Sequence, residues 1–354
     1  DYTIKNDTSA FENIVPPRVP TSNLLVALKP DFPPPGCPGF VGRERTLRIA
    51  DLPDGEVLVR VAHSSLNYKD ALSASGNRGV TRQYPHTPGI DAAGEVVASS
   101  VDAVTVGRPE IVTGYDLGMN TDGGFGEYIR VPASWCVPMP SGWDSRTAMV
   151  YGTAGLTAGL CVRKLLRMGA APEQGRVAVT GASGAVGSVA VELLAKLGFE
   201  VVAISGKADH ADQLRQLGAT EVMGRDALAE DRKPLLKPEF ANAVDTVGGV
   251  PLAELLKRIQ PGGSVSICGL VAGPQLPTSV FPFILRGINL LGVDSVDIPL
   301  AEKAEIWEKL AGPWACPGIE ASARDIGRSQ LDECLKAFLA GASAGKRVLD
   351  HALD

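Results

Sequence analysis

A glycine-rich turn between a short apolar strand and a helix is the feature that most limits how this sequence can fold. Residues 176–180 predict a buried strand, residues 181–187 read GASGAVG, and residues 188–197 predict an amphipathic helix. Glycines allow a tight turn and the close approach of a pyrophosphate, and a helix N-terminus offers N–H groups to an anion. This unit is typical of a dinucleotide-binding domain. The alternative is a glycine-rich corner that holds no ligand.

The residues after the next predicted strand indicate which dinucleotide is bound. An NAD site places an acid there to bond the ribose 2′-hydroxyl, whereas this chain has Ser205, Gly206 and Lys207. A hydroxyl and an ammonium group favour a 2′-phosphate, and we therefore predict NADP(H) as the cofactor. Asp209 is the competing acid, and we expect it to cap the following helix. The alternative for Lys207 is an ordinary surface lysine.

The rest of the chain divides into two kinds of pattern. Before residue 140, short β-rich runs separated by Gly and Pro predict an antiparallel, barrel-like domain. From residue 154, strands alternate with helices, which predicts a parallel sheet covered on both faces. After residue 295, helices precede a strand-like stretch that we expect to return to the first domain. The predicted boundaries are an extended arm at 1–22, the barrel-like domain at 23–150 and 296–354, and the dinucleotide-binding domain at 151–295.

Composition excludes several classes of function. The net charge of −6 and the 5% aromatic content argue against a nucleic-acid partner, which needs a basic face and stacking groups. No apolar run reaches the roughly 20 residues of a bilayer crossing, so we expect no membrane partner. The six cysteines are scattered, and we expect a cytoplasmic protein in a reducing compartment. Because the chain starts without Met, trimming or excision from a longer polypeptide is also expected.

The order of a β-rich domain, a dinucleotide-binding domain and a returning tail resembles the medium-chain dehydrogenase/reductase superfamily. Residues 123–128 (GGFGEY) and 151–158 (YGTAGLTA) are typical of it. In that superfamily the threonines of the second motif, here Thr153 and Thr157, lie near the nicotinamide. The resemblance implies an α/β fold, with a Rossmann domain built on a doubly wound parallel sheet and a GroES-like β-barrel domain.

Zinc-dependent members of the superfamily carry a Gly-His-Glu stretch and a four-cysteine lobe. Here the corresponding stretch is 88–94 (PGIDAAG), and no cysteine lies near the four scattered histidines. We therefore expect no metal site and no zinc-dependent alcohol oxidation.

Several separated segments are similar to one branch, the acrylyl-CoA reductase family, whose members are also labelled quinone oxidoreductases. These segments are 64–72, 88–91, 244–248, 268–270, 282–286 and 292–296, and the resemblance covers about residues 24–350. Besides the two threonines, it implies a cofactor site made of Tyr68, Ser183, Gly184, Ala185, Val186, Ser205, Gly206, Lys207, Gly269, Leu270, Ile284 and Ser295. Arg225 is a weaker candidate for the adenosine end.

The catalytic candidates lie in the first of these segments. Without a metal, the natural reaction is hydride transfer from NADPH to the β-carbon of an activated alkene, followed by protonation of the α-carbon. Asn67 and Tyr68 supply an amide and a phenol suited to the oxygen that gathers negative charge, and Asp70 adjoins them. We therefore predict Tyr68, Asn67 and Asp70 as catalytic residues. The alternative is that Asn67 and Asp70 cap a helix and that Tyr68 packs on the nicotinamide.

The predicted function is NADPH-dependent reduction of the C=C bond of a short-chain 2-enoyl-CoA thioester. An NADPH:quinone reductase, or a broader reductase of α,β-unsaturated carbonyls, is the alternative enzyme. A cofactor-binding protein without turnover is a third hypothesis. The predicted partner is thus a small-molecule substrate, an enoyl-CoA or another activated alkene.

Two further predictions concern CoA and assembly. Arg286 and Arg324 are candidates to meet CoA phosphates, or else they are surface ion-pair partners. The apolar stretches 282–285 and 287–293 predict an edge strand that pairs across a homodimer, or else burial within one subunit.

Overall fold

The structure, a computed structural model, describes residues 22–28, 41–342 and 345–353. The chain forms two compact units. The first contains the described residues as far as Gly152 and again from Arg324, apart from residues 345 and 346, and the second contains Thr153–Ala323. The predicted N-terminal arm lies outside the described residues, except for Ser22, which begins the first strand.

The first unit is built mainly from antiparallel strands. β1 (Ser22–Leu28) and β2 (Val41–Leu47) pair with each other. A second sheet contains β3 (Val57–Ser65), β4 (Asp91–Ser99), β5 (Pro109–Thr113), β6 (Tyr128–Val131), β7 (Cys136–Pro138), β14 (Arg324–Ile326) and β15 (Arg347–Asp350). Its order is β14-β15-β3-β4-β5-β7, and β6 pairs with β3. β15 lies antiparallel to β3, so the end of the described chain belongs to this sheet.

Two helices of the first unit pack together. They are α1 (Tyr68–Ala74), which follows β3, and α9 (Leu331–Leu339). Leu66, Ala71, Phe125, Leu331 and Leu335 are buried in their common core. Burial of such side chains stabilises a fold by about 1.5–3 kcal/mol each, so this core holds the start of α1 firmly in place.

The helical segment α2 (Ser145–Arg167) is interrupted at Gly152. Gly152 has φ 50° and ψ −158°, a backbone conformation essentially confined to glycine. The first unit ends at this residue, and Thr153 begins the second. The prediction of a helix from residue 154 therefore missed the short helical stretch that precedes the interruption.

The second unit is a parallel sheet with helices between its strands. The strands are β8 (Val177–Thr180), β9 (Val201–Ile204), β10 (Glu221–Met223), β11 (Phe240–Asp245), β12 (Ile259–Ile267) and β13 (Asn289–Gly292). The helices after α2 are α3 (Ala185–Lys196), α4 (Ala211–Gln216), α5 (Gly249–Leu256), α6 (Phe281–Arg286), α7 (Leu300–Ala311) and α8 (Pro317–Ser322). Short 3-10 turns include Ala208–His210 and Arg225–Leu228.

The strand order of this sheet, β10-β9-β8-β11-β12-β13, is that of a Rossmann domain. Every residue of β8, β9 and β11 is buried, because helices cover both faces of a parallel sheet. The order reverses between β8 and β11, which is where such domains hold their ligands. The predicted fold class, a Rossmann domain plus a GroES-like domain, is confirmed.

The segment 296–323 differs from its predicted placement, because it packs within the second unit. Arg163 of α2 pairs with Glu302 and with Glu305, both on α7. The Glu192 carboxylate accepts hydrogen bonds from the backbone N–H groups of Gly318 and Ile319, both 2.8 Å. Polar contacts at both ends of the segment thus hold it to α2 and α3, and the tail leaves the unit only at residue 324.

The apolar stretch 282–285 also differs from the edge-strand prediction. It lies in the short helix α6, and only the following residues 289–292 form a strand, β13, at the end of the sheet order. Pro282 lies in the first turn of α6, where its missing N–H removes no hydrogen bond.

None of the helices in the described part of the chain has both the length and the hydropathy that a membrane crossing requires.

Candidate functional site

The glycine-rich turn of the second unit is shaped by close backbone packing. A Cβ atom at Gly187 would collide with the Gly181 carbonyl oxygen and lie 2.8 Å from the Ala182 Cα, so α3 packs directly against the end of β8. Gly184 precedes α3, and no side chain of the described residues caps this N-terminus. The first N–H groups of α3 are therefore available to an anion such as a pyrophosphate.

The ends of β8 and β11 are tied together at the point where the strand order reverses. The Thr180 hydroxyl donates a 2.7 Å hydrogen bond to Asp245 Oδ1, and the Gly248 N–H donates a 2.8 Å bond to Asp245 Oδ2. Burial raises the pKa of the Asp245 carboxyl, while these hydrogen bonds oppose the shift. Sequence reasoning missed this pair, although residues 244–248 were among the family-like segments. Its role is to hold the crevice beside the turn in shape.

Two serines connect the turn to the end of β9. The hydroxyl oxygens of Ser183 and Ser205 lie 2.9 Å apart, and Ser205 Oγ accepts a 3.1 Å hydrogen bond from the Lys207 N–H. Ser205 is buried. The structure thus brings together the phosphate turn and the predicted specificity segment.

Lys207 and Arg225 line one pocket at the end of β9. The pocket has a volume of about 380 Å³, and Ser205, Gly206 and Gly224 also line it. A Cβ at Gly206 would collide with Arg225 Nε, so the guanidinium group lies directly over that glycine. Partial burial lowers the pKa of Lys207, the Asp209 carboxylate opposes this shift, and Arg225 lowers the pKa further. Two cations beside a buried hydroxyl fit a phosphate dianion.

Asp209 does not cap a helix as predicted. It lies in the 3-10 turn Ala208–His210, is highly exposed, and places its Oδ2 3.8 Å from His210 Nε2. Asp209 therefore faces solvent, and the pocket is lined by the two cations together with one acid, Asp226.

A second group of predicted cofactor residues lies just after Gly152, where α2 resumes after its interruption. Thr157 Oγ1 lies 2.6 Å from the Thr153 carbonyl oxygen and 2.8 Å from Ser295 Oγ. A Cβ at Gly269 would collide with the Thr246 carbonyl oxygen, which explains the glycine there. By contrast, Leu270 and Ile284 are 62% and 68% exposed, and the described residues do not bury them.

The first unit contains the predicted catalytic residues at the start of α1. The Asn67 backbone N–H donates a 2.7 Å hydrogen bond to Asp70 Oδ2, and the Ile90 N–H donates a 2.8 Å bond to Asp70 Oδ1. Asp70 is fully buried. Burial raises the pKa of Asp70 to about 7, with a further increase from Asp91, and the hydrogen bonds oppose the shift. Both carboxyl oxygens of Asp70 are therefore occupied by backbone N–H groups, which favours the alternative prediction, that Asp70 caps α1, over a direct role on a substrate.

The Asn67 side chain is also engaged within the first unit. Its Nδ2 donates a 2.8 Å hydrogen bond to Asp91 Oδ2 and lies 3.3 Å from the Ser65 carbonyl oxygen. Both N–H bonds of the amide thus have acceptors, so the predicted donor to a substrate oxygen is already in use. Asn67 does not cap α1 with its side chain either. Tyr68, the first residue of α1, is 40% exposed and leaves its phenol accessible.

Residues that sequence reasoning missed surround this amide. Asp91 is fully buried at the start of β4, and the Ser64 hydroxyl donates to its carbonyl oxygen over 2.8 Å. A Cβ at Gly152 would lie 2.6 Å from both Asp91 Oδ2 and Ser65 Oγ. The family-like segment 88–91 already contained Asp91, and that was the one signal available.

The two arginines predicted for CoA phosphates differ in their surroundings. Arg286 Nη1 donates to the carbonyl oxygens of Lys257 and Ile259, over 2.8 and 3.0 Å, and Nη2 donates to that of Leu236. Its guanidinium group therefore ties α6 to two backbone segments, and these contacts argue against the phosphate role for Arg286. Arg324 is exposed at the start of β14.

Across the part of the chain that the structure describes, no group of three or more His, Cys, Asp or Glu side chains is arranged to hold a metal ion.

Comparisons with known proteins agree with both units. Family models match residues 53–141, for the Alcohol dehydrogenase GroES-like domain, and residues 185–311, for Zinc-binding dehydrogenase. The acrylyl-CoA reductase AcuI of Ruegeria pomeroyi is 44% identical over 86% of this chain and 93% of its own length. Escherichia coli K-12 YhdH with bound NADPH is 42% identical and covers 92% of this chain and 99% of its own, with a TM-score of 0.88. Bacillus subtilis yhfP with NAD bound is 40% identical, covers 94% of this chain and 100% of its own, and has a TM-score of 0.89. The chain belongs to the acrylyl-CoA reductase family, a zinc-free branch of the medium-chain dehydrogenase/reductase superfamily.

Proposed function

We propose that this protein reduces the C=C bond of a short-chain 2-enoyl-CoA thioester, of the acrylyl-CoA type, with NADPH. The observation that carries the proposal is the pocket that pairs Lys207 with Arg225 beside Ser205, in a chain 44% identical to an acrylyl-CoA reductase. Solved relatives contain NADPH in one case and NAD in another, so family membership alone does not fix the cofactor. The cations at the end of β9 favour the phosphorylated form.

The residues of the second unit suit the cofactor at three points. The N–H groups at the start of α3 would hold the pyrophosphate, and Lys207 with Arg225 would hold the 2′-phosphate. Thr153, Thr157 and Ser295 would face the nicotinamide end. The fit rests on the cradle itself, because the absence of a side chain at Gly187 lets α3 pack directly against the turn, and its absence at Gly206 lets the Arg225 guanidinium group lie over the backbone of the pocket.

The chemistry needs a hydride, a proton and control of the developing negative charge. NADPH supplies the hydride when it is bound, and the β-carbon of the enoyl thioester accepts it. We assign proton delivery to the α-carbon to the Tyr68 hydroxyl, because this phenol is exposed at the start of α1. Asn67 and Asp70 set the position of that phenol through the hydrogen bonds at the helix N-terminus.

We also propose that the protein is a homodimer that works in the cytoplasm. Around α6 the second unit exposes Val280, Phe281, Ile284 and Leu285, an apolar patch beside the terminal strand β13. A second copy of the chain would cover such a patch. The free thiols at Cys136, Cys161, Cys268, Cys316 and Cys334 suit a reducing compartment. Sedimentation of the purified protein and cell fractionation test the two statements.

The decisive assay follows NADPH consumption with acrylyl-CoA, crotonyl-CoA and a benzoquinone side by side. We expect the highest kcat/KM with acrylyl-CoA, because the family resemblance and the exposed phenol support a small enoyl thioester. Turnover of the quinone with neither thioester reduced would reject the proposal, and so would absence of turnover with all three compounds. The same assays with NADH measure the cofactor preference.

A further inference from the structure

An ordered loop after α1 carries basic side chains without acidic partners. Lys69 lies on α1, and Arg78 and Arg82 follow in the loop, both exposed. None of the three forms an ion pair with the described residues, whereas Arg48 and Arg60, two exposed arginines elsewhere in the first unit, each pair with an acid. Unpaired cations keep their full attraction for an anionic ligand.

The loop is fixed by hydrogen bonds that do not use these side chains. The hydroxyl oxygens of Ser73 and Thr81 lie 2.7 Å apart, and the Tyr84 hydroxyl donates a 2.7 Å bond to the Ser73 carbonyl oxygen. The Thr81 N–H donates to the Asn77 carbonyl oxygen over 3.0 Å and closes a turn that contains Arg78 and directly precedes Arg82. The loop therefore folds back onto α1, and the backbone that carries the two arginines is preformed.

Two carboxylates in the segment beside the loop are already hydrogen-bonded. The Arg82 backbone N–H donates to Asn120 Oδ1 over 3.1 Å, which brings the loop beside residues 116–122. Asp116 accepts bonds from the side chains of Asn120 and Thr121. Asp122 accepts from the Thr87 N–H and lies 3.8 Å from the His86 ring. These acids hold their own loop together, and neither pairs with Arg82.

We propose that Arg78 and Arg82 bind the phosphate groups of coenzyme A. This inference rests on the proposed function, because it assumes that the thioester lies at Tyr68. Tyr68 begins α1, whose seven residues span about 10 Å, and both arginines follow the end of this helix. Coenzyme A has the same layout, since a long pantetheine arm separates its thioester from its phosphates. Arginine suits phosphate through its planar, bidentate donors.

The test compares acrylyl-CoA with S-acryloyl-pantetheine, which presents the same thioester without the nucleotide phosphates. We expect the wild-type protein to have the higher kcat/KM with acrylyl-CoA. In the variant Arg78→Ala/Arg82→Ala, kcat/KM for acrylyl-CoA should fall at least about tenfold. Its kcat/KM for S-acryloyl-pantetheine and its KM for NADPH should remain unchanged. The matched control is Arg60→Ala, which removes an exposed arginine that pairs with Glu95 elsewhere in the first unit.

Each of the other possible results would reject either the phosphate site alone or the proposed function together with it. If the double variant keeps the wild-type preference for acrylyl-CoA, or if the wild type does not distinguish the two thioesters, the phosphate site is wrong while the proposed function stands. An equal loss with both thioesters would mean a structural role for the loop and would also overturn the site. If the wild type reduces neither thioester, the proposed function fails, and this inference fails with it.

Discussion

The Nδ2 amide of Asn67 donates a 2.8 Å hydrogen bond to Oδ2 of the buried Asp91. This bond connects the residue before α1 to the start of β4. With the Asp70 carboxylate accepting the Asn67 and Ile90 N–H groups, it forms a small buried network beneath the exposed Tyr68. The network fixes where the phenol stands, and the raised pKa of the Asp70 carboxyl group makes that position sensitive to pH.

The first prediction concerns Asp70 and pH. Burial raises its pKa from 3.8 to about 7, so between these values the folded protein binds one proton more than the unfolded chain. Stability therefore falls as the pH rises through this window, and the contribution of Asp70 is constant above it. Asp70→Asn cannot ionise, but it leaves one backbone N–H without its acceptor. We expect the variant to be less stable than the wild type at pH 4.5, with a gap that narrows by about 3 kcal/mol towards pH 7.5.

Urea unfolding at a series of pH values measures this gap. A gap of the same size throughout the series would mean that Asp70 is ionised in the folded protein at all of these pH values. The assignment of a raised pKa would then be wrong.

The second prediction concerns proton delivery by Tyr68. Tyr68→Phe removes the hydroxyl and keeps the ring, so a ring that only packs against the cofactor would be unaffected. We expect kcat with acrylyl-CoA to fall about 100-fold, the lower end for a general acid, with KM for NADPH unchanged. Tyr128→Phe, which alters another tyrosine of the first unit, serves as the control. Undiminished turnover in Tyr68→Phe would rule out the donor role.

The parts of the site that sequence reasoning anticipated are local ones. A strand, a glycine turn, a helix and the next strand are contiguous, so the placement of Ser183, Ser205 and Lys207 follows from one βαβ unit. Arg225 lies close to Gly206 because it follows the neighbouring strand, β10, which is also the next strand along the chain. Hydrophobic patterns and glycine positions in a sequence predict such local strand, turn and helix placements directly.

The parts that sequence reasoning missed depend on long-range packing. The partner of Asn67 lies 24 residues away on another strand, and nothing in either local pattern joins them. Arg286 looked like a surface cation, but backbone segments near residues 236 and 257 surround it. The segment 296–323 was assigned by its helical pattern alone, whereas its placement depends on side chains such as Arg163 and Glu192.

The third prediction concerns the choice between NADPH and NADH. Lys207→Glu replaces a cation of the pocket with an acid, which repels a 2′-phosphate and accepts a hydrogen bond from a 2′-hydroxyl. A charge-assisted hydrogen bond contributes about 1.5–3 kcal/mol, so we expect the Kd for NADPH to rise about ten- to a hundredfold. The Kd for NADH should stay the same or fall. Lys233→Glu, an exposed lysine of the second unit outside the pocket, is the control. Unchanged selectivity in Lys207→Glu would contradict the assignment.

The fourth prediction tests the position of Arg225. A Cβ at Gly206 would meet the flexible guanidinium end of Arg225 rather than backbone, so Gly206→Ala should displace that group with little loss of stability. We expect weaker NADPH binding in Gly206→Ala and in Arg225→Ala. In the Arg225→Ala background, Gly206→Ala should have almost no further effect, because both changes act through one group. Fully additive effects on the Kd for NADPH would show that Gly206 acts independently of Arg225.

The last prediction concerns Gly152, where the first unit ends. Its φ of 50° already disfavours a side chain, and a Cβ would lie 2.6 Å from Asp91 Oδ2 and Ser65 Oγ, both part of the surroundings of Asn67. Gly142 separates the two effects, because it also has a positive φ of 83° but has nothing within 4 Å of its Cβ position.

Gly142→Ala should therefore cost only the backbone strain, about 1–2 kcal/mol. Gly152→Ala carries the strain and the clash together, and we expect a loss of stability at least about 2 kcal/mol larger. The urea midpoints of the two variants measure the difference. Because the clash falls on Asp91, Gly152→Ala should also lower kcat with acrylyl-CoA, whereas Gly142→Ala should leave it unchanged. Equal midpoints for the two variants would mean that the backbone moves away from Asp91 at little cost, and Gly152 would then be needed for its conformation alone.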